Sequence, residues 1–180
     1  MDSTQNKPSR PTFTPIPATS AHPSPALDGR YLTFRLGAGS YGISVLKVQE
    51  IIRLAATTAV PGLPPHLRGV INLRGRIVPI IDLRARFAMP AQADGARTCI
   101  IVVQLRTATC GLAPMGLVVD AVDEVLAIGR DEVTPPPDFG CAVDVAFLLG
   151  LARVRGEVKA LLDIDRVLTG EQLAALEAAA

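Results

Sequence analysis

The sequence predicts an all-β protein made of two small, similar units that share one hydrophobic core. Three observations carry this. Apolar runs are strand-sized and separated by Gly- and Pro-rich turns, as in VINL and IVPIID around Arg74-Gly75-Arg76. The chain repeats itself: GVINLRGRIVPIIDL at residues 69–83 is echoed by GLARVRGEVKALLDI at residues 150–164. Only the last residues carry a clear helical pattern. Short strands in small units favour closed, barrel-like arrangements over open sheets, because closure removes exposed edges.

Order is expected to begin after residues 1–29, whose Pro-, Ser- and Thr-rich run (KPSRPTFTPIPATSAHPSP) has little with which to offset chain entropy. That segment reads as a disordered spacer, with a docking segment as the alternative. Tyr31, Thr33 and Arg35 alternate with Leu32, Phe34 and Leu36, the period of a strand with one buried face. GAGS is a turn and YGISVL returns as the second strand of a hairpin. KVQEIIRL fits a helical turn or an irregular strand, and AVPGLPPHL a loop. Two strands follow, Val70–Leu73 and Ile77–Leu83; Pro79, lacking a ladder donor, belongs at an edge or bulge. Residues 88–97 form a linker and CIIVVQL a strand. GLVVDAVDEVLAI matches the YGISVLKVQEII pattern, and TPPPDFG is a loop. FLLGLARV and VKALLDI make a second hairpin, and GEQLAALEAAA a C-terminal helix over residues 170–180 with Leu173 and Leu176 on one side.

The repeat has two blocks in the same order. Gly42 to Glu50 and Gly116 to Glu124 both read G-x-x-V-x-x-V-x-E; Gly69 to Asp82 and Gly150 to Asp163 both read G-x4-R-G-x6-D. Two similar β units joined near residues 88–97 follow, each too small to be stable alone, hence the shared core. Hydrophobic residues make up 49% of the chain and aromatics only 4%, so that core is aliphatic.

Composition also narrows function. The net charge of +1 gives no hint of nucleic acid or an anionic membrane. Apolar runs fall well short of the roughly 18 residues of a membrane span, and the N-terminus lacks a signal-peptide core, so a cytoplasmic protein is expected. Cys99, Cys110 and Cys141 contain no C-x-x-C pair, and His22 and His66 lie far apart. No metal, cofactor or disulfide framework is expected. Nucleotide-binding and hydrolase motifs are absent, and no enzyme is expected. Asp82 and Asp163 could be imagined as paired catalytic carboxylates, but their equivalent places after an apolar strand read as acceptors for backbone N–H groups at a strand end or turn. Glu50 and Arg74 could pair on the surface and orient groups for a partner, or be two solvated charges. Arg68, Arg76, Arg84 and Arg86 could make a basic face for nucleic acid, although Phe87 is the only aromatic nearby.

At GVINLRGRIVPIIDLRARF the sequence resembles the CheW-like family of chemotaxis coupling proteins. YLTFRLGAGSYGISVLKVQEI, RTCIIVVQL, GLVVDAVDEVL, EVTPPPDFG and ALLDIDRVL continue the resemblance in order over about residues 30–169. The resemblance implies two SH3-like five-stranded barrels around a shared core and no catalysis. It implies an adaptor joining the cytoplasmic hairpin tip of a chemoreceptor to the regulatory domain of the histidine kinase CheA. Ring assembly into receptor arrays, and neither nucleic-acid binding nor membrane insertion, come with it. Residue by residue, Val48 and Glu50 match positions linked to kinase or receptor contact. Arg74 and Gly75 match a partner-binding turn whose arginine pairs with that glutamate, and Gly69 the glycine opening the motif. Val118 and Val119 match a strand near the receptor groove, and Ile52 is a further groove position. Arg155, the repeat counterpart of Arg74, lacks that family support and reads as a polar turn residue. The long N-terminal tail, RTATCGLAPMG and RLAATT depart from the family pattern; they bear on loop contacts and partner choice rather than on fold.

Overall fold

The structure, a computed structural model, describes residues 28–107, 111–136 and 143–167. The tail before Asp28, the expected C-terminal helix, Cys110 and Cys141 lie outside the described residues. Among the described residues eleven strands form: β1 (Gly29–Leu36), β2 (Gly39–Ser44), β3 (Val48–Arg53), β4 (Leu67–Leu73), β5 (Arg76–Asp82), β6 (Cys99–Thr107), β7 (Gly111–Val119), β8 (Ala121–Ile128), β9 (Val133–Thr134), β10 (Leu148–Val154) and β11 (Glu157–Leu162). One-turn helices α1 (Leu83–Arg86) and α2 (Ile164–Val167) follow the two repeated hairpins. Asp82 caps α1 by accepting from the N–H groups of Arg84 and Ala85, and Asp163 accepts from Asp165, the roles expected of both.

The strands build two sheets, a six-stranded one in the order β8-β1-β2-β11-β10-β9 and a five-stranded one in the order β3-β6-β7-β5-β4. These are not the two sequence halves. The β1–β2 hairpin lies between β8 and β11, and the β6–β7 hairpin between β3 and β5. Each half lends its first hairpin to the other, so the expectation of one contiguous unit on each side of residues 88–97 is corrected. The chain changes sheets inside the G-x-x-V-x-x-V-x-E block. After β2 it does so through a 3₁₀ turn at Val45–Lys47, and after β7 through a bend at Asp120.

Three clusters of buried side chains result among the described residues. The largest draws on both sheets: Leu32, Phe34, Tyr41 and Ile43 from one, Ile81, Ile101, Val103, Leu117 and Val119 from the other. This is the shared core, with an aromatic row Phe34–Tyr41–Phe87–Phe147 at centroid spacings of 6.0, 6.2 and 6.1 Å. Ile71, Val78, Ile80, Ile100, Val102 and Val118 form a second cluster, on which Ile52 and Leu73 pack, so all five strands of that sheet curl around it. Tyr31, Leu126, Ile128, Ala152 and Leu161 make the matching cluster of the other sheet.

Pro79 does not sit on an edge strand, since β5 has β4 on one side and β7 on the other. Its partner Val70 spends its own N–H and C=O on Thr58, so Val70 and Pro79 are a non-hydrogen-bonded pair and the missing donor points toward β7. The parallel ladder to β7 starts one residue later, at Ile80–Gly116. In the other sheet Ala160 has an N–H, and the equivalent ladder already includes Ala160–Tyr41. The proline delays the start of its parallel ladder by a residue, and that ladder then runs on to Asp82–Val118.

The linker between the halves is pinned by charge. Asp94 accepts from Arg68 Nη1 at 2.7 Å and Arg84 Nη2 at 3.2 Å. Arg68 also holds Asp82 at 2.6 Å, and the buried Arg84 reaches Asp120 at 3.3 Å. On the other side of the pseudo-symmetry the charges are reversed: Asp165 of α2 binds Lys47 at 2.6 Å. The hydrogen bond from Arg68, with the charges of Arg68 and Arg84, holds the Asp94 carboxyl below the usual carboxylate range. A lowered folded pKa contributes stability above the unfolded value of about 3.9 and loses it as pH falls through the folded value. Urea midpoints should therefore fall on acidification below about pH 4, and fall less steeply for Asp94→Asn. Parallel pH profiles for the two proteins would show that this clasp contributes nothing.

Candidate partner-binding site

Arg74 and Gly75 are the two-residue loop between Leu73 and Arg76, with φ of 54° and 82°. Positive φ at both central positions is the type I′ turn, whose twist matches that of the strands it joins. Asn72 Oδ1 accepts from the Gly75 N–H at 2.8 Å and locks it. From this turn the guanidinium reaches Glu50, Nη2 to Oε2 at 2.9 Å. Glu50 lies on β3 just after a register shift against β6, between Val48 and Glu50. Such a bulge redirects the side chains that follow it. Arg74 is 79% exposed and Glu50 27%, so the pair contributes no more than about 1 kcal/mol to stability. It closes the rim of a recess of about 360 Å³ floored by Leu73, Val78 and Pro114.

The sequence-derived site residues divide. Glu50, Arg74 and Gly75 meet at this recess. Val48 and Ile52 are half-buried and do not line it: Val48 packs on the shared core and Ile52 on the second cluster, while strand alternation turns Ile51 outward. Val118 and Val119 are 0% and 1% exposed, on a strand flanked by β6 and β5. They are core residues and offer a partner no surface. Gly69 is also buried and serves the backbone: a Cβ there would lie 2.2 Å from the Thr58 carbonyl oxygen. This corrects the expected contact role of all three.

Glu124 and Arg155 were not among the expected site residues. Arg155 stands on the same kind of turn, φ 52°, and binds Glu124 through Nη1 at 2.9 and 3.1 Å. Glu124 is held at a bulge, its carbonyl accepting from Thr33 Oγ1 at 2.8 Å. The two repeated blocks align Glu124 with Glu50 and Arg155 with Arg74, so the signal was in the repeat. The second recess, of about 390 Å³, is more charged: Asp123, Glu157 and Lys159 replace Gln49, Arg76 and Val78.

A third surface lies where the sheets meet. This cleft of about 500 Å³ includes Leu46, Leu112 and Leu149. Leu46 is 95% exposed and Leu112 59%. Loss of water contact with two such side chains would favour a partner.

The CheW-like domain matches residues 30–172 of the chain.

The chain belongs to the CheW-like family. It is 37% identical over 147 residues to "Chemotaxis protein CheW" of Klebsiella aerogenes, covering 82% of this chain and 86% of that one. It is 32% identical to the Rhizobium meliloti protein of the same name, covering 78% and 88%. Among solved structures it resembles the scaffolding protein TtCheW of Thermoanaerobacter tengcongensis, with a TM-score of 0.72 and 30% identity, over 81% of this chain and 97% of that one. A CheW-like domain is a non-enzymatic scaffold of chemotaxis, which accords with Asp82 acting as a helix cap bound to Arg68 rather than as half of a catalytic pair. The geometry leaves Arg76 as the one exposed arginine of the four expected to make a nucleic-acid face on this CheW-like chain. Arg68 and Arg84 are spent on carboxylates, and Arg86 donates to the Val167 carbonyl at 2.6 Å while lying over the Phe147 ring. Among the described residues no helix is long and apolar enough to cross a membrane.

Proposed function

We propose that this chain couples chemoreceptor cytoplasmic tips to the regulatory domain of the histidine kinase CheA. The observation that carries the reading is Arg74 in its turn. A non-glycine residue in the left-handed region costs on the order of 1 kcal/mol, and Asn would fit there at lower cost. The exposed pair with Glu50 returns no more than that. Stability therefore does not account for an arginine at this point, whereas recognition does: a pre-oriented guanidinium beside a recess lined in part by Leu73, Val78 and Pro114 is the kind of group that dominates protein interfaces. Kinase contact is assigned to the Glu50–Arg74 recess, with Val48 and Gly75 supporting it.

Receptor contact is assigned to the inter-sheet cleft. A receptor tip is a helical hairpin, and such a partner is recognised by an apolar groove with charges at its rim to set register. Leu46 and Leu112 supply the groove; Arg30, Lys47 and Arg106 stand around it. The Glu124–Arg155 face, related to the first by the repeat, would let domains of this fold alternate in a ring. The chain would work in the cytoplasm, held near the membrane through its receptors. The relatives named for chemotaxis and scaffolding support this reading.

The test is a pull-down with the kinase regulatory domain and, separately, with a receptor-tip fragment. Glu50→Lys is expected to weaken kinase capture about tenfold or more and leave the receptor fragment bound; Leu46→Asp should do the reverse. Wild-type capture of the kinase domain by both Glu50→Lys and Arg74→Glu would refute the assignment.

A further inference from the structure

The two recesses share a Glu–Arg pair but differ in the charges around it. In the second, Arg35 binds Asp123 at 3.1 Å and Glu157 at 3.5 Å, Arg155 binds Glu124 at 2.9 Å, and Lys159 binds Glu157 at 3.2 Å. Each charged residue lining that recess is therefore in an ion pair. The charged residues lining the first are Glu50, Arg74 and Arg76. Glu50 and Arg74 take each other, and Arg76 has no ion pair or side-chain hydrogen bond among the described residues. The repeat sets Arg76 where the second hairpin has Glu157. One framework thus carries a spare positive charge on one face and a matched carboxylate at the same place on the other.

Arg76 opens β5 directly opposite Leu73 of β4, and residues so paired turn their side chains to the same face. Leu73, together with Val78 two positions further along β5, floors the recess, so the Arg76 side chain stands over that floor. In water this exposed guanidinium is solvated. A partner that covers the recess removes the water, and a covered charge without a counter-charge is strongly unfavourable. Glu50 is already held by Arg74 at 2.9 Å. The counter-charge must come from the partner.

We infer that Arg76 selects the partner of the first recess: the surface that docks there presents a carboxylate to this guanidinium. Surfaces without such an acid are rejected by the cost of covering Arg76. The second recess, with its charges already paired, makes no such demand. The Glu50–Arg74 pair is common to both faces and cannot tell them apart, whereas Arg76 can. The inference rests on the assignment of the kinase regulatory domain to the Glu50–Arg74 recess and adds the chemistry of the contact.

The experiment is calorimetric titration of the kinase regulatory domain into wild type, Arg76→Gln, Arg76→Glu and Glu50→Lys, each at about 0.05 M and about 0.5 M salt. At the lower salt Arg76→Gln is expected to lose about fivefold in affinity and Arg76→Glu about thirtyfold or more, with both losses shrinking at the higher salt. Thermal melts of the two Arg76 variants should match wild type, since Arg76 holds no other group. Arg76→Gln removes the charge without offering Arg74 a second carboxylate, so its loss reads the contact alone. Changing one acidic surface residue of the kinase domain to lysine should restore binding to Arg76→Glu and so identify the opposing carboxylate. Both Arg76 variants within about twofold of wild type, with binding lost in Glu50→Lys, would overturn the charge selection and leave the kinase assignment standing. Equal losses that ignore salt would overturn it too, because the aliphatic stem of Arg76 would then be the contact. Wild-type binding by Glu50→Lys as well would bring down the recess as the kinase site, and the selection with it.

Discussion

Gly69→Ala will destabilise the fold by about 3 kcal/mol or more, and any loss of partner binding will follow from unfolding. Gly69 has φ 126°, a region that side-chain-bearing residues rarely enter, which alone costs of order 1–3 kcal/mol. The added methyl would also lie 2.2 Å from the carbonyl oxygen of Thr58. That oxygen accepts the Val70 N–H at 2.9 Å, and the Thr58 N–H donates back to Val70 at 2.8 Å. Pushing Thr58 away breaks both bonds, at roughly 1 kcal/mol each. For a protein of this size each kcal/mol moves Tm by about 2–4 °C, so a fall of at least about 6 °C is expected by circular dichroism. A Tm within about 2 °C of wild type would contradict the geometry. Gly150, the repeat counterpart, makes a similar close approach, to Val133 Cγ1 at 2.4 Å and the Thr134 oxygen at 2.9 Å. Both glycines lie at register shifts where a hairpin opens, and both let a neighbouring segment pass close to the backbone.

Arg74→Asn should separate folding from recognition. Asn-Gly is the favoured pair for a type I′ turn, so the substitution relieves the left-handed strain at φ 54° while removing the guanidinium. Losing the exposed pair with Glu50 costs less than about 1 kcal/mol, so Tm should stay within a few degrees of wild type. Affinity for the kinase regulatory domain should fall at least about tenfold, the effect of removing one well-placed interface arginine. Calorimetric titration beside a thermal melt decides it. Tight binding by a well-folded Arg74→Asn protein would mean that this arginine recognises nothing. Arg155→Asn, on the equivalent turn, reports on the other face in the same way; loss of binding there alone would move the kinase contact to the Glu124–Arg155 recess.

Much of this could be read from residue order because the interactions involved are local. Alternation along Tyr31–Leu36, the Arg-Gly turn between strands and the helix-capping role of Asp82 each depend on neighbours within a few positions. The repeat showed that whatever one hairpin does, a second does also. It even contained the Glu124–Arg155 pair, which went unassigned because Arg155 has no counterpart in the family motif. Alternation gave less help at Val118 and Val119, where adjacent residues are both buried. They point to opposite faces of a strand that has a core on each side.

The amino-acid sequence by itself determined the strands, the turns, the twofold repeat, the aliphatic core and the family. The tertiary structure alone decided which hairpin joins which sheet, that Gly69, Val118 and Val119 are internal, that Arg84 is buried among carboxylates, and that Leu46 and Leu112 share a cleft. The division has a physical cause. Period and turn chemistry say which face of a strand avoids water, but every β-strand offers the same backbone donors and acceptors at its edges. The choice among partners is made by side chains that meet only after the chain has folded, up to 119 positions apart in the case of Ser40 and Lys159.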